Sequence, residues 1–255
     1  FREYEGLKTL SVAAAVFADC SYEGDLMPLA KVAYRVGREA RNEFAEPHAG
    51  KLFMRKTDQR PATISEREDQ AYRRLNLRKF PGYQEIIAGA STGEGDRCVQ
   101  AFNYRPTLSF DPANRLPVVK PAGYDRELIA GLVLGCVSQP TSPNRKIFWN
   151  RPQLVGPHQD YVEGDWGVRR QVMDQLWTIS ISGLFFLQND ASIPEAERVQ
   201  WLRYGLAKDE FADNGGRPYE MYVREGRRLD ARTILKECDS KLARGTMRAP
   251  VHVDS

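Results

Sequence analysis

Long apolar runs, cysteines, histidines and a surplus of either charge are all scarce in this chain of 255 residues. The longest apolar run, Leu128 to Val137, falls well short of the roughly 18–20 residues a transmembrane helix needs, so no transmembrane segment is expected. Lys and Arg number 37 against 34 Asp and Glu, a net charge of +3. That is too even for the basic face a nucleic-acid partner demands. Phe1 to Glu5 shows neither the basic stretch nor the apolar stretch of a secretory signal, and the compartment stays unassigned. The four cysteines, Cys20, Cys98, Cys136 and Cys238, are scattered, without a C-x-x-C pair. Each is expected as a small buried apolar residue. The three histidines, His48, His158 and His252, form no H-E-x-x-H or similar arrangement, so no metal site is expected. Internal repeats and low-complexity tracts are absent too, which excludes solenoids and propellers.

What is present reads as an ordinary globular mixture of strands and helices. Val12 to Ala18 (VAAAVFA) is the continuous apolar run of a fully buried strand, closed by the polar turn Asp19-Cys20-Ser21. A turn and a helix follow, with Pro28 in the first helical turn. A strand, polar turn and helix in succession form the basic unit of an open α/β sheet, which places ligands at the carboxyl ends of its strands. A helix with an S-x-x-E box is predicted over Ile64 to Leu77. Val99 to Arg105 alternates like a half-buried strand, and so does Tyr219 to Arg224. Asp111 to Tyr124, with three prolines, predicts an extended loop. The strongest helix is predicted from about Asp165 to about Gln188, with Val168, Val172, Leu176, Ile179, Gly183 and Phe186 drawing one stripe. Ser192-Ile193-Pro194-Glu195 predicts a second helix with a capping box and a proline in its first turn.

Three features carry candidate chemistry. Gly89-Ala90-Ser91-Thr92-Gly93 matches the G-x-S-x-G turn that exposes a nucleophilic serine, but a strand-like pattern follows it where a hydrolase needs a helix. His158, in a loop with Asp160, has the chemistry of a general base or of a loop histidine bonded to backbone. Arg224, Arg227 and Arg228, with Glu225 among them, suit either bidentate capture of an anion or an internal ion-pair network.

Ala18-Asp19-Cys20-Ser21-Tyr22-Glu23-Gly24-Asp25-Leu26-Met27 resembles the "D-A-T/S-Y-E-G-D-L-M" segment of a family of FAD-dependent oxidoreductases, two-domain Rossmann-type flavoproteins. Further blocks resemble that family in its own order: Tyr34 to Glu39, Val99 to Arg105, Asp111 to Arg115, Gly205 to Gly216, and Tyr222 to Arg228. The resemblance spans about Val16 to about Asp254. It implies an α/β and α+β fold: part of an FAD-binding Rossmann-like domain over residues 1–37, then a mixed-sheet substrate domain with helices over 38–255. It implies FAD as cofactor, a small-molecule substrate, and hydride transfer from an organic substrate to flavin. By matching position, Asp19, Glu23, Gly24 and Asp25 are the expected cofactor-binding residues. Asn103, Arg105, Tyr222 and Arg224 are expected to line the substrate cavity, with His158 as proton acceptor.

Two parts of the family pattern have no counterpart in this sequence. There is no G-x-G-x-x-G, whose amides and helix N-terminus hold the FAD pyrophosphate, and no closing Gly-Arg segment. The expectation is therefore a fragment, the middle of a longer flavoprotein, or a subunit completed by a chain or segment carrying G-x-G-x-x-G. The alternatives are a serine hydrolase using Ser91 and a non-catalytic subunit.

Overall fold

A computed structural model describes residues 10–46, 49–51, 92–132, 139–150, 152 and 156–236. Its helices are α1 (Leu26–Leu29), α2 (Arg41–Phe44), α3 (Arg126–Leu132), α4 (Trp166–Asn189) and α5 (Glu195–Trp201). Its strands are β1 (Tyr34–Arg35), β2 (Thr107–Ser109), β3 (Arg115–Leu116), β4 (Gln139–Ser142), β5 (Lys146–Phe148), β6 (Gly205–Ala207) and β7 (Arg228–Leu229). The fold is mixed, helices with antiparallel sheets. The chain separates into two compact units. Among the described residues, one gathers those of 10–13 and 100–224, and the other those of 14–51, 92–99 and 225–236.

The first unit is built on an antiparallel sheet of strand order β3-β6-β2-β5-β4. Strand β2 sits at its centre, Leu108 opposite Ile147 on β5 and Leu206 on β6. All three residues of β2 are buried, as a central strand covered on both faces requires. Phe102, Tyr104, Leu108, Ile147 and Trp149 are wholly excluded from solvent and form the core.

Helix α4 begins where the sequence predicts. Asp165 is its N-cap, and its carboxylate accepts from the Val168 amide at 2.9 Å. The first half shows the expected stripe, with Val172 and Leu176 buried. From Ile179 to Gln188 almost every side chain is buried, so the helix runs into the protein rather than along its surface. Two contacts fix its depth. The Trp149 indole N–H donates to the Ser180 carbonyl at 2.9 Å, and the Gln188 amide donates to the Trp201 and Tyr204 carbonyls, each at 2.9 Å. Between them a Cβ on Gly183 would lie 2.5 Å from Pro152 Cδ, so only glycine allows this approach.

Several expectations for this unit are corrected. Val99 to Arg105 is not a half-buried strand: it makes one isolated bridge, Asn103 to Tyr222, and Phe102, Asn103 and Tyr104 are all buried. A segment covered on both sides has no solvent face to alternate against. Tyr219 to Arg224 takes part only through the same bridge, although Met221 and Val223 point inward and Arg224 outward as the alternation implies. The capping box at Ser192 does not form. The Ser192 hydroxyl and amide both bond Asp190, and Pro194 occupies the N-cap of α5. Asp111 to Tyr124 is mostly loop, with a 3₁₀ turn at Pro112–Asn114 and the two residues of β3.

The second unit is held by backbone pairing and ion pairs. Strands β1 and β7 pair antiparallel, Tyr34 opposite Leu229 and Arg35 opposite Arg228. Pro28 lies in the first turn of α1, as expected. Gly37, at φ +88°, packs so closely that a Cβ would meet the Asp96 carbonyl at 2.2 Å. Beside it Arg38 forks onto Asp96, with Nε 2.9 Å from one carboxylate oxygen. Burial pushes the Asp96 carboxyl up, but bonds from the Arg38 guanidinium and the Cys98 amide outweigh it and hold the group below its ordinary value.

The buried strand expected at Val12 to Ala18 is also corrected. Val12, Val16 and Phe17 are 48, 80 and 52% exposed, and no described strand pairs with the run. Its composition asks for a covered sheet, and the described residues provide none around it. Cys20 and Cys98 are exposed free thiols rather than buried apolar residues. Cys136 and Cys238, His48 and His252, and the helix expected over Ile64 to Leu77 lie outside the described residues.

Replacing Gly183 by Ala should destabilise the protein despite alanine's helix preference. That preference contributes about 1 kcal/mol, against about 1–3 kcal/mol for overpacking a dense core. Thermal unfolding is expected at a lower midpoint, and an unchanged or raised midpoint counts against the packing described. For Asp96→Asn the loss depends on pH. A carboxyl with a depressed folded-state pKa stabilises above its unfolded value, near 3.8, and that stability disappears as pH falls through the folded value. Urea unfolding at pH 7 should show a deficit of about 1 kcal/mol that closes below pH 4.

Candidate functional site

The bridge between Asn103 and Tyr222 brings together four of the residues singled out from the sequence. The Tyr222 amide donates to the Asn103 carbonyl at 2.8 Å. Alternate residues of an extended chain share a face, so Arg105 emerges beside Asn103, and Arg224 beside Tyr222. The Arg105 guanidinium carbon lies 3.7 Å from the centroid of the Tyr222 ring, and that of Arg224 lies 5.6 Å from it. One aromatic ring thus holds two cations, each drawn to its π electrons.

Beneath this face Asn103 is 1% exposed. Its amide nitrogen donates to the Asn150 carbonyl at 2.8 Å and reaches Asn150 Oδ1 at 3.2 Å. A carbonyl only accepts, so this contact fixes which way the amide points. The Asn103 Oδ1 atom is left buried without a hydrogen-bond partner, and so is Arg105 Nε. Asn150 escaped sequence reading because its part is played through its backbone, for which no motif exists.

His158 belongs to the same unit, in the 3₁₀ turn Pro157–Asp160, and is fully buried. Its ring stands edge-on to Phe102, centroids 5.1 Å apart. Nδ1 accepts from the Gly156 amide at 3.3 Å, and Nε2 is 2.9 Å from the Gln159 side-chain amide.

The residues expected to meet cofactor lie in the second unit. Asp19 organises its own turn: its carboxylate accepts from the Ser21 amide at 2.9 Å, the Ser21 hydroxyl at 2.7 Å and the Leu26 amide at 2.9 Å. The Leu26 and Ser21 bonds hold its carboxyl below the usual value. Gly24 takes φ +66°, the left-handed region that favours glycine. Arg227 secures the loop, its Nη1 bonding the Glu23 carbonyl at 3.1 Å and the Asp25 carboxylate at 2.7 Å. A Cβ on Gly226 would lie 1.9 Å from the Tyr22 carbonyl, so the two stretches pass in direct contact. Of the arginine run, Arg227 and Arg228 therefore serve ion pairs, Arg228 with Glu39 and Glu225, while Arg224 faces Tyr222.

The donor set decides what this loop suits. Asp19, Glu23 and Asp25 bring acceptors for hydroxyl groups such as those of a ribose or ribityl chain, and their charge opposes a diphosphate. The loop fits the sugar portions of FAD and not its pyrophosphate. The same unit has a cavity of about 760 Å³ lined by Ala40, Arg41, Asn42, Ala45 and Thr92 to Gly95. Ser91, the candidate nucleophile of the hydrolase reading, lies outside the described residues. Among the described residues, no cluster of metal-ligating side chains occurs, and no helix is long and apolar enough to cross a membrane.

No curated protein and no solved structure matches this chain. A family model does: the one described as FAD dependent oxidoreductase aligns with residues 2–251, nearly the whole length. Its cofactor is FAD, its fold Rossmann-like, and its chemistry that of an oxidoreductase. With a match of that extent, the chain belongs to the FAD-dependent oxidoreductase family.

Proposed function

We propose that this chain provides the substrate-facing part of a flavoenzyme that oxidises an organic molecule by hydride transfer to FAD. The observation that carries this reading is the face made by Asn103, Arg105, Tyr222 and Arg224, where two strand-like segments bring polar groups together over a rigid core. FAD, when bound, supplies the hydride acceptor. The protein's own residues bind, orient and polarise. Arg105 and Arg224 stabilise negative charge, and Tyr222 holds both guanidinium groups in place. Asn103 fixes orientation from below. His158, packed against Phe102, keeps the backbone before Asn103 in position.

On the cofactor side, Asp19 shapes the turn, Gly24 permits it, and Glu23 and Asp25 accept from hydroxyls of the sugar chain. Arg227 keeps Asp25 and the Glu23 carbonyl in register. We assign residues 1–37 to the cofactor-binding half and 38–255 to the substrate half. The diphosphate cradle is then provided by a separate chain or by a segment carrying G-x-G-x-x-G.

Because the loop suits hydroxyls and not a diphosphate, the chain by itself should bind FAD and riboflavin weakly and within about threefold of each other. Quenching of flavin fluorescence in parallel titrations measures both. Binding of FAD more than about tenfold tighter than riboflavin overturns the assignment of the diphosphate cradle elsewhere. Absence of binding by either flavin overturns the placement of cofactor at Asp19 to Asp25.

A further inference from the structure

Arg105 and Arg224 make no ion pair or hydrogen bond among the described residues, although they share one aromatic ring. Several other arginines are matched to carboxylates, Arg38 with Asp96, Arg126 with Asp190, Arg217 with Asp174 and Arg227 with Asp25, while Arg115, Arg169 and Arg198 donate to backbone carbonyls. Two like charges held on one ring without a counter-ion create a local positive potential, which an anion relieves. Arg105 is half-buried, and its Nε is buried with no acceptor. Arg224 is exposed, so the pair grades from the interior to solvent. A planar carboxylate matches this arrangement because each guanidinium offers paired donors.

The second demand comes from Asn103. Its side chain is almost wholly buried, its nitrogen is committed to Asn150, and its Oδ1 accepts nothing. A buried acceptor without a donor costs about 1–3 kcal/mol, so a donor brought by a ligand is rewarded here. The donor should be neutral, because an ammonium beside two guanidinium groups meets repulsion that a hydroxyl does not. Asn103 and Arg105 are two positions apart on one extended segment, so their side chains leave the backbone on the same side.

We infer that the Asn103–Arg105–Tyr222–Arg224 face binds a small hydroxycarboxylate, its carboxylate on the two arginines and its hydroxyl donating to Asn103 Oδ1. This rests on the reading of that face as the substrate side, and it adds the substrate's chemical class.

Calorimetric titration of the chain with glycolate and with acetate tests it without flavin. Glycolate should bind about tenfold tighter than acetate, the worth of one hydrogen bond to a buried acceptor. Arg105→Gln and Arg224→Gln should each weaken both ligands about tenfold or more. Asn103→Leu should bring glycolate down to the affinity of acetate. Where Asn103→Leu does not fold, as shown by its circular dichroism, the glycolate-to-acetate ratio of the natural protein and the two arginine variants decide the matter. Equal binding of the two acids, no binding of either, or binding indifferent to both arginine substitutions overturns the inference. Flavin titration reads independently of these measurements. Flavin binding without acid binding sinks the substrate class alone, and acid binding without flavin binding sinks the flavoenzyme reading of the chain while leaving the anion site standing.

Discussion

The segment from Phe102 to Ser109 is buried at every position but the half-buried Arg105, and the first unit is arranged around that fact. Phe102, Tyr104, Leu108 and Ser109 are inaccessible to solvent and Asn103 nearly so. A covered backbone has to find its hydrogen bonds inside the protein. Strand β2 meets that demand with β5 on one side and β6 on the other, and just before it Asn103 meets it through Tyr222. The side chains set the remaining positions. Tyr104 stands edge-on to Trp177 of helix α4 and accepts from Arg217, which in turn pairs with Asp174 on the same helix. Trp149, following β5, ties Ser180 of that helix to the sheet. One buried stretch therefore fixes both the helix and the polar face built on Asn103.

Sequence reading succeeded where a local signal was strong and tertiary packing agreed with it. Asp165 ahead of an apolar stripe marks helix α4 because capping and amphipathicity are properties of a few neighbouring residues. Asp19 closing a turn is equally local. The two misread strands share one cause, which is that burial is decided by what lies across from a residue. Val12 to Ala18 has the composition of a covered strand, yet no described strand lies beside it. Val99 to Arg105 has the alternation of a surface strand, yet its consecutive residues Phe102, Asn103 and Tyr104 are all packed. Ser192 has a capping motif, yet Asp190, two residues earlier, captures its hydroxyl and amide.

The candidate site was legible in its parts and not in its assembly. Asn103, Arg105, Tyr222 and Arg224 stood out because their segments resemble blocks of a known family, while the distance between residues 105 and 222 in the sequence says nothing of a 3.7 Å contact. The run around Arg224 left open whether its arginines grip an anion or one another. Geometry divides them by the partner that each one meets. Arg228 turns to Glu39 and Glu225, Arg227 to Asp25, and Arg224 to the side of Tyr222. No composition or spacing argument makes that division, because it depends on where the acidic partners fold.

The same division explains how a protein of near-neutral charge presents a cationic site. A net charge of +3 over 255 residues supplies no long-range field of consequence, and beyond about 10 Å ordinary salt screens what there is. Attraction for an anion must then arise within a few ångströms, from cations that lack a counter-ion. Tyr222 makes this possible. Its ring lies against both guanidinium groups and holds them by a weaker, uncharged attraction of about 0.5–2 kcal/mol each. An aspartate or glutamate there would neutralise the pair, whereas an aliphatic residue would leave two like charges free to turn apart. An aromatic ring positions the arginines and leaves their charge available.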